Sequence, residues 1–292
     1  MRRVIYIISG PGHLPNLVVS LLTLRKHYNG QVDVFVWPES EGIVKQICHD
    51  QYLDAGYIPW KPLFHGHSDT YVDKTRLIPS IETKDAVLFL DADTTIHSRL
   101  DVLFDGIELY GFVATQFNDW VSTGGTISRR IKSLLEFPEI DKELVDAALA
   151  KSWPSVNSGI FGAAPDSPVN KLWHQWTYAA RTSFIPDEKV LHLMLPQFGP
   201  SNQIMVAVGG RWNCSPNYQP RDLADKDVVV WHYHGDCNLR PDKSPKGAAQ
   251  WWLLFDHCMR WNVGHIREWI AQVNNKHLKK LLTTKEKEAS NV

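Results

Sequence analysis

Two carboxylates separated by one residue close an apolar run: in "DAVLFLDADTTI", residues 85 to 96, Asp91 and Asp93 follow Ala86 to Leu90. In an extended chain, side chains two apart point the same way, so both carboxylates aim at one point while Ala92 faces elsewhere. Like charges held that close require a cation between them or a retained proton. Hard oxygen ligands of this kind suit Mg²⁺ or Mn²⁺. The plain alternative is a polar turn in which one Asp caps a backbone N–H. The apolar strand before it argues for a site, because ligands gather outside the carboxyl ends of buried strands in α/β sheets.

A third ligand is offered by "VVVWHYHGDCN", where His232 and His234 alternate with Trp231 and Tyr233 and so project to one side. The alternative for either is a satisfied core or turn histidine. Lys74 and Arg76, in the helical run "VDKTRLIPSI", come shortly before the Asp-x-Asp strand and are suited to neutralising phosphate oxygens, or else form a solvated helix face. Asp187 and Glu188, after Pro186, offer further carboxylates for a pocket or cap a loop. Among the twelve tryptophans, Trp120 and others present stacking faces, although most belong to a core.

These groups need a scaffold, and strand and helix signals alternate along the chain. "RVIYIIS" (3 to 9) reads as a buried strand and 14 to 28 as a helix, with Leu14, Leu17, Val18, Leu21 and Leu24 at helical spacing. Strand 32 to 37, helix 40 to 56 ending at Gly56, and strand 86 to 91 follow. Beyond them come strand 110 to 116, a mostly helical 127 to 151, strand 156 to 164, helix 167 to 181 and strand 227 to 235. Such alternation predicts an α/β protein with a largely parallel sheet. The segment 265 to 282 is amphipathic, and the polar tail after it has the composition of a mobile terminus.

Composition limits the function classes. With 43% hydrophobic and 22% charged residues in 292, the chain can bury a sizeable core, and a formal charge of −1 gives no global field for nucleic acid or a membrane surface. Four dispersed cysteines form no Cys-x-x-Cys pair, which fits a reducing cytoplasm. No apolar run is long enough for a transmembrane segment.

In order along the chain, "IISGPGHLPNLVVSLLTLRKHY", "VDKTRLIP", "AVLFLDADTTI", "VNSGIFGA", "SNQIMVAVGGRWNCSPNYQ" and "WHYHG" resemble the retaining nucleotide-sugar glycosyltransferases of the glycogenin and lipopolysaccharide galactosyltransferase family, family eight. The likeness spans roughly residues 3 to 245. It implies a GT-A fold: one domain over 1–264 with a mostly parallel Rossmann-like sheet flanked by helices, and a helical carboxyl-terminal segment over 265–292. It also implies a hexosyl transfer from a nucleotide sugar, UDP-linked, to a sugar or glycan acceptor, with no nucleic-acid partner.

By that resemblance Asp91, Asp93 and a histidine of "WHYHG" hold Mn²⁺ (or Mg²⁺), which holds the donor's diphosphate. The family's His-x-x-Gly spacing selects His232, three before Gly235. The family's next lysine position is Asn238, and Lys243 is the basic residue taken for that phosphate contact. Lys74 matches the lysine before the Asp-x-Asp strand. Ser9, Gly10 and His13 match the loop that receives the base, although Gly10-Pro11-Gly12-His13 lacks the third glycine of a dinucleotide fingerprint. Ala92 lies within the donor-binding turn, and Asn157 of "VNSG" matches the donor-sugar contact.

The family's Asp-Gln pair aligns with Asn202-Gln203, and an amide cannot serve as a carboxylate nucleophile. With front-face attack, Asn202 positions sugar hydroxyls and Gln203 lies under the anomeric carbon, with Asp187 as the other carboxylate of the pocket.

Two rival readings stand beside this one. "LFLDADTT" also resembles the haloacid-dehalogenase phosphatase signature, with Asp91 as nucleophile. Asn202 in place of Asp suggests a catalytically silent nucleotide-sugar-binding protein.

Overall fold

The structure is a computed structural model, and it describes residues 1–49, 53–63, 69–234 and 245–261. In chain order the elements are β1 (Arg2–Ile8), α1 (Leu14–Arg25), β2 (Gln31–Val36), α2 (Glu41–Cys48), β3 (Gly56–Pro59) and α3 (Asp69–Leu77). Then come β4 (Ala86–Leu90), β5 (Thr94–Ile96), α4 (Asp101–Tyr110), β6 (Phe112–Val121), α5 (Gly125–Lys132) and α6 (Lys142–Ala150). The last are β7 (Pro154–Ala163), α7 (Pro168–Ala179), α8 (Pro186–Phe198), β8 (Met205–Ala207), β9 (Val230–His232) and α9 (Pro245–Trp261).

Seven strands form the main sheet in the order β3-β2-β1-β4-β7-β6-β8, and β5 pairs with β9 in a separate two-stranded ribbon. The main sheet is parallel except around β7, which runs antiparallel to both β4 and β6. This is the mostly parallel α/β architecture expected from the alternation.

The central strands β1 and β4 carry unbroken buried apolar runs, Val4 to Ile8 and Ala86 to Leu90, because both faces are covered there. Val4, Tyr6 and Ile8 of β1 join one core, with α1, α2, α4 and α9, while Ile5 and Ile7 join the other, with α3, α5, α6, α7 and α8. The same period of two sends Leu88 and Leu90 to the first core and Val87 and Phe89 to the second.

Boundaries differ from the sequence reading at instructive places. Among its described residues, the run expected as strand 227 to 235 forms ladder pairs over Val230–His232, matching the three residues of its partner β5. The helix expected over 40 to 56 is helical to Cys48, and Gly56 instead opens β3, where Pro59 is tolerated on a sheet edge. The stretch 127 to 151 divides into α5 and α6. The amphipathic segment 265 to 282 and the tail, and with them the 265–292 unit, lie outside the described residues, as do Gly235 and Lys243.

Candidate active site

The site begins where β4 ends. Asp91 N–H donates to Gly159 O of β7 at 2.7 Å, and Thr94 Oγ1 donates to Asp91 O at 2.8 Å, closing the turn that carries both carboxylates. Beneath the turn, Tyr6 OH, Ser20 Oγ and Thr94 Oγ1 are linked at 3.1 Å per step, so a buried polar chain from β1 and α1 steadies it. Register then supplies the histidine: Thr94 pairs with His232, and Tyr233 N–H donates to Asp93 O at 2.8 Å.

His232 Nε2 lies 3.3 Å from Asp93 Oδ1 and 3.7 Å from Asp91 Oδ2. One ligand atom from each of the three residues falls within 4.8 Å of the other two, the one such group of potential metal ligands among the described residues. Burial pushes the Asp93 carboxyl up, but His232, aided by His13 and His234, more than reverses this and holds it below the usual carboxylate range. Burial opposes charge on His232 as well, and Asp93 and Asp91 outweigh it to raise the ring above its ordinary value.

Two carboxylates and one imidazole on a partly open face fit a hard divalent cation such as Mn²⁺. A further feature fits that group: a Cβ on Gly159 would fall 2.2 Å from His232 Cε1 and 2.8 Å from Asp91 Oδ2. The bare backbone of β7 is therefore what lets the imidazole close over the carboxylates.

Lys74 of α3 lies 2.9 and 3.1 Å from the two oxygens of Asp91 and 3.6 Å from Asp187 Oδ2. Burial would lower this lysine, but Asp91 and Asp187 overcome it and raise the ammonium above its usual range. Tyr71, one turn earlier, faces the same group; burial pushes its phenol up and Asp187 reinforces the shift.

Asp187 and Glu188 are the first acidic residues of α8, whose helix dipole favours them. Asp187 accepts from Ser158 Oγ at 2.6 Å. Glu188 accepts from Arg130 Nη1 at 2.7 Å and from Asn157 Nδ2 at 2.6 Å. Burial raises both carboxyls, offset in part by Lys74 for Asp187 and by Arg130 for Glu188.

The fold thus gathers Asp91, Asp93, His232, Lys74, Asn157 and Asp187. Parallel pairing of Ile5 with Phe89 also brings the Ser9, Gly10 and His13 loop out beside the Asp-x-Asp turn. The Ala92 side chain is buried in the core, which leaves its main chain for any ligand.

Asn202 and Gln203 are not brought to the cluster. Both are exposed, before β8, and Met205 is level with Val113, Gly162 and, through β7, Leu88. The strand that follows them, β8, therefore begins three strands, about 14 Å, to the side of β4 and level with Leu88, short of the strand end that leads into Asp91. Asp187-Glu188, at the start of a helix that packs on β7, lies beside Lys74 and Asn157 instead.

His234 is not among the three clustered ligands; its ring meets Phe117 at 5.0 Å, and burial lowers it to about 4. With Trp120 and Tyr218 these rings make an aromatic patch beside the site, Tyr218 being 47% exposed. Sequence reasoning assigned no role to Arg130, Ser158, Gly159 or Asn213. Of these only Gly159, a glycine inside a strand, carried a local signal of close approach.

No family model matches the chain, and no curated protein matches it in sequence. Among solved structures it resembles the galactosyltransferase LgtC in complex with donor and acceptor sugar analogs, at TM-score 0.60 and 16% identity, covering 87% of this chain and 95% of that one. It also resembles mouse xyloside xylosyltransferase 1 in its apo form, at TM-score 0.54 and 11% identity, over 81% of this chain and 99% of that one. A third is the bifunctional glycosyltransferase WbbM, at 0.51 and 12%, over 80% of this chain and 45% of that one. The chain has the fold of these glycosyltransferases.

Proposed function

We propose that the protein is a metal-dependent retaining glycosyltransferase that moves a hexose from a nucleotide sugar, UDP-linked, to a sugar or glycan acceptor. The observation that carries this is the convergence of Asp91, Asp93 and His232, beside Lys74 and Glu188, at the strand ends of this fold. Its support from comparison is that a galactosyltransferase of the same fold is described with donor and acceptor sugar analogs bound.

Departure of a nucleoside diphosphate builds negative charge on phosphate, and a divalent cation held by Asp91, Asp93 and His232 supplies Lewis-acid stabilisation of that charge. Lys74 holds Asp91 in place and adds fixed positive potential next to the same oxygens. Ser9, Gly10 and His13 border the space for the base. Glu188, more open to solvent than Asp187, offers a carboxylate to the sugar side, and Asn157 orients it. Asp187, bonded to Ser158 and near Lys74, positions both. Front-face attack, with the leaving phosphate taking the acceptor's proton, needs no protein nucleophile. Trp120 and Tyr218 offer ring faces for the acceptor.

Two features disfavour the rivals. The solved structures that the chain resembles are glycosyltransferases, which supports a transferase over a phosphatase with Asp91 as nucleophile. Asn202, the reason for suspecting a silent protein, is remote from the cluster. A donor screen tests the reading: nucleotide sugars with Mn²⁺, measuring free nucleoside diphosphate. Release from a UDP-sugar, abolished by chelator, is expected. Turnover of phosphomonoesters alone would overturn it.

A further inference from the structure

The ring of His232 is held on its far side by Asn213. Its Nδ1 lies 2.8 Å from Asn213 Oδ1, and Asn213 is fully buried. An amide oxygen and nitrogen look alike, so the direction of this bond depends on what surrounds the other end of the amide. Three acceptors surround it: Thr115 Oγ1 at 2.9 Å, Asn157 Oδ1 at 3.3 Å and Asn157 O at 3.4 Å.

Each of these is an acceptor for a reason of its own. Thr115 has one hydroxyl proton, and it is committed to Ile160 O at 2.7 Å. Asn157 Oδ1 accepts the Gly159 N–H at 2.8 Å, while its Nδ2 faces Glu188. Asn157 O is a backbone carbonyl. A flipped Asn213 would set its oxygen against three oxygens with no proton among them to share. The amide nitrogen must therefore face Thr115, and Oδ1 must face His232.

Oδ1 can only accept, so His232 Nδ1 must carry a hydrogen, and the neutral ring keeps its lone pair on Nε2, toward Asp91 and Asp93. Backbone bonds fix the arrangement, since His232 N–H donates to Cys214 O at 2.9 Å and Cys214 N–H donates to Val230 O at 3.0 Å, pinning 213–214 along β9. We infer that Asn213 is a positioning residue that sets the His232 tautomer and ring orientation for metal ligation, through a hydrogen-bond chain anchored at Thr115 and Ile160. The same amide ties the metal side of the site to Asn157 and thence to Glu188. Outer partners of this kind typically contribute 10- to 100-fold in metal affinity.

The inference rests on the metal reading above, and its test separates the two. In the metal-free full-length protein, ¹⁵N imidazole NMR recorded above the titration of the ring should find His232 protonated at Nδ1. Mn²⁺ titration calorimetry should find Asn213→Ala weakened about 10- to 100-fold. Thr115→Val should weaken binding less, because Asn157 still accepts from the amide. Should Asn213→Ala fail to fold, the wild-type tautomer and Thr115→Val carry the test. A wild-type ring protonated at Nε2, or a folded Asn213→Ala with unchanged Mn²⁺ affinity, would overturn the inference. A wild-type chain that binds no Mn²⁺ overturns the metal reading, whereas the NMR result decides the tautomer without any metal.

Discussion

Asp91 and Asp93 stand two residues apart at the end of a strand, whereas Asp187 and Glu188 are neighbours in the first turn of a helix. The first two side chains are 25% and 22% exposed, the second two 1% and 12%. The turn after β4, closed by Thr94 Oγ1 on Asp91 O, carries the first pair toward His232, so both carboxylates meet at one point and gain from a cation supplied from outside. Helical neighbours diverge by about 100°, so the second pair reaches two cations of the chain itself, Lys74 and Arg130. Spacing and backbone type, rather than the number of acids, separate a pair that meets at one point from a pair whose members each reach a different cation of the chain, although Lys74 lies nearer Asp91 than Asp187. Lys74 touches both and couples them.

The contrast can be broken most severely at Asp93. Asp93→Asn removes a ligand from the open pair, and turnover of the nucleotide sugar should fall about 100-fold or more, the scale of one preorganised charge-stabilising group. Equal wild-type rates in Mn²⁺ and in chelator would contradict the premise.

Gly159→Ala attacks the same pair through shape, since the methyl group would land on His232 and Asp91. Mn²⁺ affinity measured by calorimetry should drop by at least about 10-fold, while Gly125→Ala, where a Cβ meets nothing within 4 Å, should leave it unchanged. Glu188→Gln addresses the self-neutralised pair: it keeps a side-chain oxygen for Asn157 but leaves Arg130 without its counter-charge. Steady-state assays should show a fall in turnover of about 10-fold, equivalent to ~1.4 kcal/mol, with Mn²⁺ affinity retained. Gln203→Ala, remote from both pairs, should change turnover by less than about twofold, as exposed substitutions do. A larger loss would mean that the segment before β8 reaches the substrate.

The pair was legible because two acids one residue apart close an apolar strand, although in the structure a turn after Leu90, rather than the strand's period of two, brings Asp91 and Asp93 together. His232 was legible only with the spacing to Gly235 that the family resemblance supplied. Asp187 was legible as an acid after Pro186, but its helix was not foreseen, and the likeness of Asn202-Gln203 to the family's pair pointed to a segment fifteen residues further on that the fold leaves exposed. Strands β3, β5 and β8, of three or four residues, are too short for periodicity to register. Asn213 was unreadable for a different reason. Its role follows from acceptors on β6 and β7 that meet it only after the sheet has formed.

The β5–β9 ribbon also gives the site a history. Thr95 and Tyr233, bonded through their hydroxyls at 3.3 Å, are 138 residues apart in sequence. At 5–20 residues per second, the ribosome releases the imidazole on the order of ten seconds after the carboxylates. Until then a nascent chain holds Asp91 and Asp93 without their histidine. Contacts this distant in sequence form late and pay the larger closure entropy. Metal capture is thereby tied to near-complete folding, and a chain cut short before β9 would bear the acidic turn without the third ligand.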